Sequence, residues 1–156
     1  MIVIQFAQGT DLGAKAIEWY GHETYSHVDS VLPDGRLFGA RSDNVGGAPP
    51  GVQAREPSYL GSEKVFRVEL ATTADETVKY YDWLWTQVGK PYDKQGILGF
   101  IVDRDWRDPN TWFCSELVAA GLEYCEYFPY PLAAITNKIT PGDLLSLCSV
   151  GTRITI

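Results

Sequence analysis

Trp112-Phe113-Cys114-Ser115-Glu116-Leu117-Val118 is where the chain changes character. Before it runs an irregular stretch rich in Asp, Pro and Asn. After it comes an apolar run with helical spacing, through Leu117, Val118, Gly121 and Leu122 to about Tyr124, which Pro129 and Pro131 then break. Cys114 therefore stands at a helix start. Amide N–H groups of a first turn lack intrahelical acceptors and lie at the positive end of the helix dipole, so anions are favoured there. The thiolate is the nucleophilic form of a cysteine. Cysteine also ranks among the most buried residue types and commonly packs as a small hydrophobe, but a helix start following a polar loop points to a nucleophile.

Outward from this helix, the pattern predicts short strands with helices before and after them. Ile2–Ala7 reads as a buried strand, then Gly9-Thr10-Asp11 as a turn and Leu12–Tyr20 as a helix closed by Gly21. Ser26–Leu32 and Arg36–Arg41 read as a hairpin around the turn Pro33-Asp34-Gly35. The Gly- and Pro-rich segment 42–57 is a long loop with a short strand near Val52–Arg55, and Lys64–Leu70 alternates as a strand. Thr73-x-x-Glu76 makes a capping box for a helix to about Val88, with Tyr81, Leu84, Trp85 and Val88 as its core face and Gly89 as its stop. Ile97–Val102 is ambiguous between a helical turn and a buried connection. Thr140-Pro141-Gly142-Asp143 is a turn delivering a short strand or helical turn, and Arg153–Ile156 an edge strand. These elements predict one α+β domain over residues 1–156, with a small antiparallel sheet packed against helices.

The composition narrows the function. At 156 residues, 45% of them hydrophobic, the chain is long enough to bury a core without disulfides or structural metal. A formal net charge of -7 argues against binding the phosphate backbone of nucleic acids. Cys114, Cys125 and Cys148 form no C-x-x-C pair and leave an odd thiol, which points to a reducing compartment and away from a zinc site. No secretion signal or membrane-length apolar run is present in the sequence, so a soluble protein, cytoplasmic as synthesised, is expected. No cofactor is implied.

A cysteine nucleophile needs a base, usually histidine. Of the two histidines, His22 falls in a polar loop where a solvated side chain is expected. His27 begins a strand in Ser26-His27-Val28, and strands hold side chains firmly. In order along the chain come Tyr25-Ser26-His27-Val28, Gly89-Lys90-Pro91-Tyr92-Asp93, Phe113-Cys114-Ser115-Glu116-Leu117-Val118 and Thr140-Pro141-Gly142-Asp143-Leu144. This series resembles the circularly permuted branch of the NlpC/P60 superfamily, the YiiX/YebB-like or permuted papain-like hydrolases, in which histidine precedes cysteine. The resemblance covers nearly the full length. It implies a permuted papain-like fold, with Cys114 as nucleophile at the start of a central helix and His27 as general base on the facing sheet.

Relatives often carry a polar orienting residue on the strand after the histidine, where this chain has apolar Leu37-Phe38-Gly39-Ala40. Asp29, two positions along the strand and on the same face as His27, is one alternative, and Ser42 and Asp43 are others. Tyr92 suits either packing or donation to an oxyanion beside the Cys114 N–H. Glu116 is explained by capping and the helix dipole, and Ser115 lacks a nucleophile elbow. Cys125, three turns after Cys114, is expected on a buried face. The loop Asp43–Gly51 and the aromatics Trp106 and Trp112 are expected to border the cleft.

Two classes of function follow. The first is a cysteine amidase or peptidase, which the superfamily resemblance directs to peptidoglycan-type peptides, with lipid or ester acyl hydrolysis or transfer as the nearest alternative chemistry. The second is a non-catalytic binding or assembly module in a phage particle or secreted effector complex.

Overall fold

The computed structural model describes residues 1–8, 24–60, 64–93, 110–132 and 139–149. The predicted helix Leu12–Tyr20 with Gly21, His22, the stretch Ile97–Val102, Trp106 and the predicted strand Arg153–Ile156 lie outside those residues.

Five strands form one antiparallel sheet: β1 (Ile2–Ala7), β2 (His27–Val31), β3 (Leu37–Arg41), β4 (Gly51–Arg55) and β5 (Val65–Leu70). Their order is β4-β3-β2-β1-β5, so β2, β3 and β4 follow one another outward from β1 as antiparallel neighbours and β5 pairs with its other edge. Three helices are described: α1 (Ala74–Thr86), α2 (Cys114–Tyr124) and α3 (Pro141–Ser149). This is the expected α+β architecture, and the five predicted strands that fall within the described residues are in place to within one residue at each end.

Strand alternation divides the sheet. Ile2, Ile4, Phe6, Val28, Phe38, Val52, Val68 and Leu70 are fully buried and form the core with Tyr80 and Leu84 of α1, Leu117, Val118 and Leu122 of α2 and Leu144 of α3. The Ser30 and Tyr80 hydroxyls, 2.6 Å apart, tie β2 to α1 inside this core. His27 and Asp29 lie on the alternate positions of β2, opposite Ala7 and Gln5 of β1.

Three sequence readings need correction. The buried residues of α1 are Tyr80 and Leu84, with Gln87 buried at its C-cap and Tyr81 packed against the core; Trp85 (45% exposed) touches Phe38 only at its edge, and Val88 (41% exposed), beyond the helix, is exposed. A polar Gln87 is admitted because its side-chain oxygen accepts the Trp112 indole N–H at 3.2 Å. That bond, with the edge-on packing of Trp83 on Trp112, places Trp112 in the core, 7% exposed, and not at a cleft rim. The Thr140 segment starts a full helix. Thr140 and Asp143 exchange backbone-to-side-chain bonds of 3.1 Å each, a capping box with Pro141 in the first turn. The capping box predicted at Thr73 and Glu76 is present, with bonds of 2.7 and 3.2 Å.

Helices α1 and α2 approach closely at Gly121, where an added Cβ would stand 2.7 Å from Cε2 of the fully buried Tyr80. Gly121→Ala gains about 1 kcal/mol of helix propensity. Overpacking against a ring fixed by Ser30 costs about 1–3 kcal/mol. The expected outcome is net destabilisation, read as a lower denaturant midpoint, and a midpoint at or above wild type would contradict this packing.

Candidate active site

The site is assembled from the start of α2 and the beginning of β2. Cys114 is the first residue of α2, and its side chain is 1% exposed. The preceding Phe113 N–H donates to Glu116 Oε2 at 3.2 Å, so Glu116 caps the helix as its position suggested. Ser115 is turned into the core, donating to the Ile139 carbonyl at 2.6 Å. The remaining thiols are set apart by their surroundings. Burial pushes Cys148 up to about 12, and Cys125, also raised by burial, directs its thiol to the Leu122 carbonyl at 3.4 Å.

His27 opens β2, where its ring is bonded to Asp29 and also interacts with Cys114. His27 Nε2 and Asp29 Oδ2 are 3.0 Å apart, with side-chain exposures of 12% and 3%. With the carboxylate accepting at Nε2, Nδ1 is the ring nitrogen left for the thiol. Burial works against the imidazolium, but Asp29, through charge and hydrogen bonding, and Cys114 together outweigh it and raise His27 from 6.5 to about 9. For Asp29, burial favours the neutral acid and is outweighed by His27, the Tyr59 hydroxyl and Arg41, which leave the carboxyl below its ordinary value.

Among the three candidates for an orienting group, Asp29 is the one bonded to the ring. Asp43 is engaged with Arg41, accepting from Nε at 2.8 Å and Nη2 at 2.9 Å, and Ser42 is exposed. Gly39 explains how Asp29 takes this place. A Cβ on Gly39 would collide with Asp29 Oδ1, so the missing side chain on β3 leaves the room that the β2 carboxylate fills. The β2–β3 pairing spans only Ser30↔Phe38 and Val31↔Leu37, so the two strands are not laddered beside Asp29.

Sequence reading passed over two further neighbours. Tyr59, in the short 3-10 turn Pro57–Leu60, donates its hydroxyl to the same Asp29 Oδ2 that faces His27. Arg41 lies over the Tyr59 ring, 4.7 Å from its centroid. No local pattern announces a contact across 30 residues. The Asp43–Gly51 loop is held down by Arg55, which is 1% exposed and donates to the carbonyls of Gly39, Pro49 and Gly51 at 2.8–2.9 Å. Tyr92 forms an isolated parallel bridge with Trp112 and its ring tilts against Phe113, centroids 5.9 Å apart, so it stands beside the helix start.

A solved structure with similar architecture is that of the metalloprotein YiiX from Escherichia coli O157:H7, DUF1105. The two align with a TM-score of 0.59 and 21% identity over 81% of this chain and 66% of that one. The fold is YiiX-like. No family model and no curated protein matches the chain. YiiX is a metalloprotein, but among the described residues of this chain no three His, Cys, Asp or Glu side chains converge as metal ligands. No described helix is long and apolar enough to cross a membrane.

The His27–Asp29 pair makes stability depend on pH with a definite sign. A raised histidine contributes fully below the unfolded value of 6.5, and its contribution is lost as pH rises through about 9. A depressed carboxylate contributes above its ordinary value of 3.8 and is lost as pH falls. The melting temperature of the wild type should therefore exceed that of His27→Gln most between about pH 4 and 6.5, and the gap should shrink by pH 9. A gap constant from pH 5 to 10 would show that the pair does not hold its proton in the folded state.

Proposed function

We propose that the protein is a cysteine hydrolase of the permuted NlpC/P60 type, cleaving amide bonds in peptidoglycan-type peptides. The observation that carries this reading is the polarised sequence Asp29–His27–Cys114, which ends on a thiol in the first turn of a helix. The ordered motifs and the YiiX-like fold support it. The Cys114 thiolate attacks the scissile carbonyl, and the electron pair of the C=O bond moves to oxygen. As that tetrahedral intermediate collapses, the imidazolium of His27 gives a proton to the leaving nitrogen. Neutral His27 then takes a proton from the water that attacks the thioester, and the C–S bond breaks to release the acid and return the Cys114 thiolate beside the His27 imidazolium. Asp29 orients the ring throughout. The Cys114 N–H and the Tyr92 hydroxyl donate to the oxyanion.

A second reading, a binding or assembly module, draws on one observation: Cys114 is 1% exposed. A cleft of about 360 Å³ lined by Glu123, Glu126, Phe128, Pro129, Tyr130 and Pro131 lies towards the other end of α2 from the thiol. It begins at Glu123, nine residues along the chain from Cys114, which is roughly 14 Å of helix rise.

Turnover of peptidoglycan peptides should disappear in Cys114→Ser, with thermal stability close to wild type. His27→Ala should lower kcat by about 10²–10⁴-fold. Wild-type turnover in Cys114→Ser would overturn the hydrolase reading. Fragment binding without turnover, unchanged in that variant, would establish the module.

A further inference from the structure

Asp29 Oδ2 accepts two bonds, one from His27 and one from Tyr59, and only the first belongs to the acid–base pair. The second comes from outside the paired strands, from the turn that follows β4. Behind the Tyr59 ring lies Arg41, which is fixed in turn by its two bonds to Asp43. We infer that Tyr59 is a positioning residue of the site, whose hydroxyl holds Asp29 as a carboxylate directed at His27 through the step in which His27 is neutral. The inference rests on the proposed role of His27 as acid and base, and it adds the group that makes the neutral state of His27 accessible.

The argument is one of charge balance in a buried place. While His27 is an imidazolium, the Asp29 carboxylate, 2% exposed, is neutralised by its neighbour. When the ring passes its Nδ1 proton to a leaving group, Nε2–H still donates to Oδ2, but the countercharge has gone. A buried carboxylate then needs donors or nearby cations to remain ionised. Tyr59 supplies the donor. Burial pushes its phenol up, Asp29 pushes it further, and it stays protonated throughout, gaining and losing no proton.

Among the described residues, the other groups around the pair come from several neighbouring elements. Cys114 approaches His27 from α2, and Gln5 of β1 stands opposite Asp29 with its side-chain oxygen occupied by Arg67 of β5 at 2.8 Å. Arg41 at the end of β3 and Arg55 of β4 contribute positive charge towards Asp29, and Asp43 contributes negative charge towards His27. Tyr59 is the one of these whose side chain is hydrogen-bonded to Oδ2 besides His27.

The sign of the effect separates this role from simple packing. Losing a donor that stabilises the carboxylate most when His27 is neutral makes the pair hold its proton more tightly. Loosened packing would free Asp29 from the ring and have the opposite effect. The chain has two histidines, so the His27 titration is readily followed by NMR, with His22→Gln assigning the other resonance. In Tyr59→Phe, which keeps the ring beneath Arg41, the His27 titration should move up from about 9 by roughly one unit. Arg41→Gln should move it in the same direction by less, and Asp29→Asn should move it down towards 6.5.

A His27 titration unmoved or lowered in folded Tyr59→Phe overturns the assignment. If that variant does not fold, an unmoved or lowered value in Arg41→Gln overturns it on the same criterion. The titration needs no substrate, so absence of hydrolysis would count against the proposed reaction alone, and an unshifted His27 against Tyr59 alone.

Discussion

A carboxylate kept charged inside a sheet is the constraint around which this site is built. Asp29 is almost fully enclosed, and an enclosed carboxylate persists only where hydrogen bonds and cations replace the water it has lost. His27, Tyr59 and Arg41 do so from three segments of the chain. Gly39 leaves the space they converge on, and Arg55 ties the Gly- and Pro-rich loop to β3 so that the turn bearing Tyr59 returns to the sheet. Each feature looks minor in isolation. Together they fix which nitrogen of His27 faces the carboxylate.

The helix that carries the thiol is positioned by a different set of forces. Its apolar face, Leu117, Val118 and Leu122, is buried in the core shared with the sheet. Gly121 lets α1 approach closely through Tyr80, and the Tyr80 hydroxyl meets Ser30 on β2, the strand that also carries His27 and Asp29. The packing of the helices and the placement of the site are thus coupled through β2. A change that shifts α1 on the sheet would disturb the register of Cys114 against His27 as well as core density. The comparison with YiiX extends to the architecture and leaves the chemistry to be judged on this chain's own residues.

Much of this was legible in the sequence wherever the signal was local. The apolar run of Ile2–Ala7, the strand alternation of Lys64–Leu70, the capping box at Thr73, and the change of pattern at Cys114 each involve neighbours within a few residues. Period-two alternation was sufficient to place Asp29 on the face of His27. Signals that depend on packing were lost or misread. Two overlapping apolar stripes run along α1, and the choice between them was made by Trp112, whose indole N–H found Gln87 and drew that polar side chain inward. The Thr140–Asp143 capping box was present in the sequence, but Pro141-Gly142 gave it the look of a turn. Tyr59 and Gly39 carry no local mark at all, because their importance comes from the carboxylate they surround.

The central claim is that His27, held by Asp29, acts on Cys114 and on neither of the other thiols. The most direct test is the alkylation rate of each cysteine at pH 7, resolved by mass spectrometry, in the wild type and in His27→Ala. The account predicts that Cys114 labels fastest in the wild type and loses its lead over Cys125 and Cys148 when the imidazole is removed. Equal and slow labelling of all three thiols, unchanged by the substitution, would contradict it and leave Cys114 as one more buried cysteine of the core.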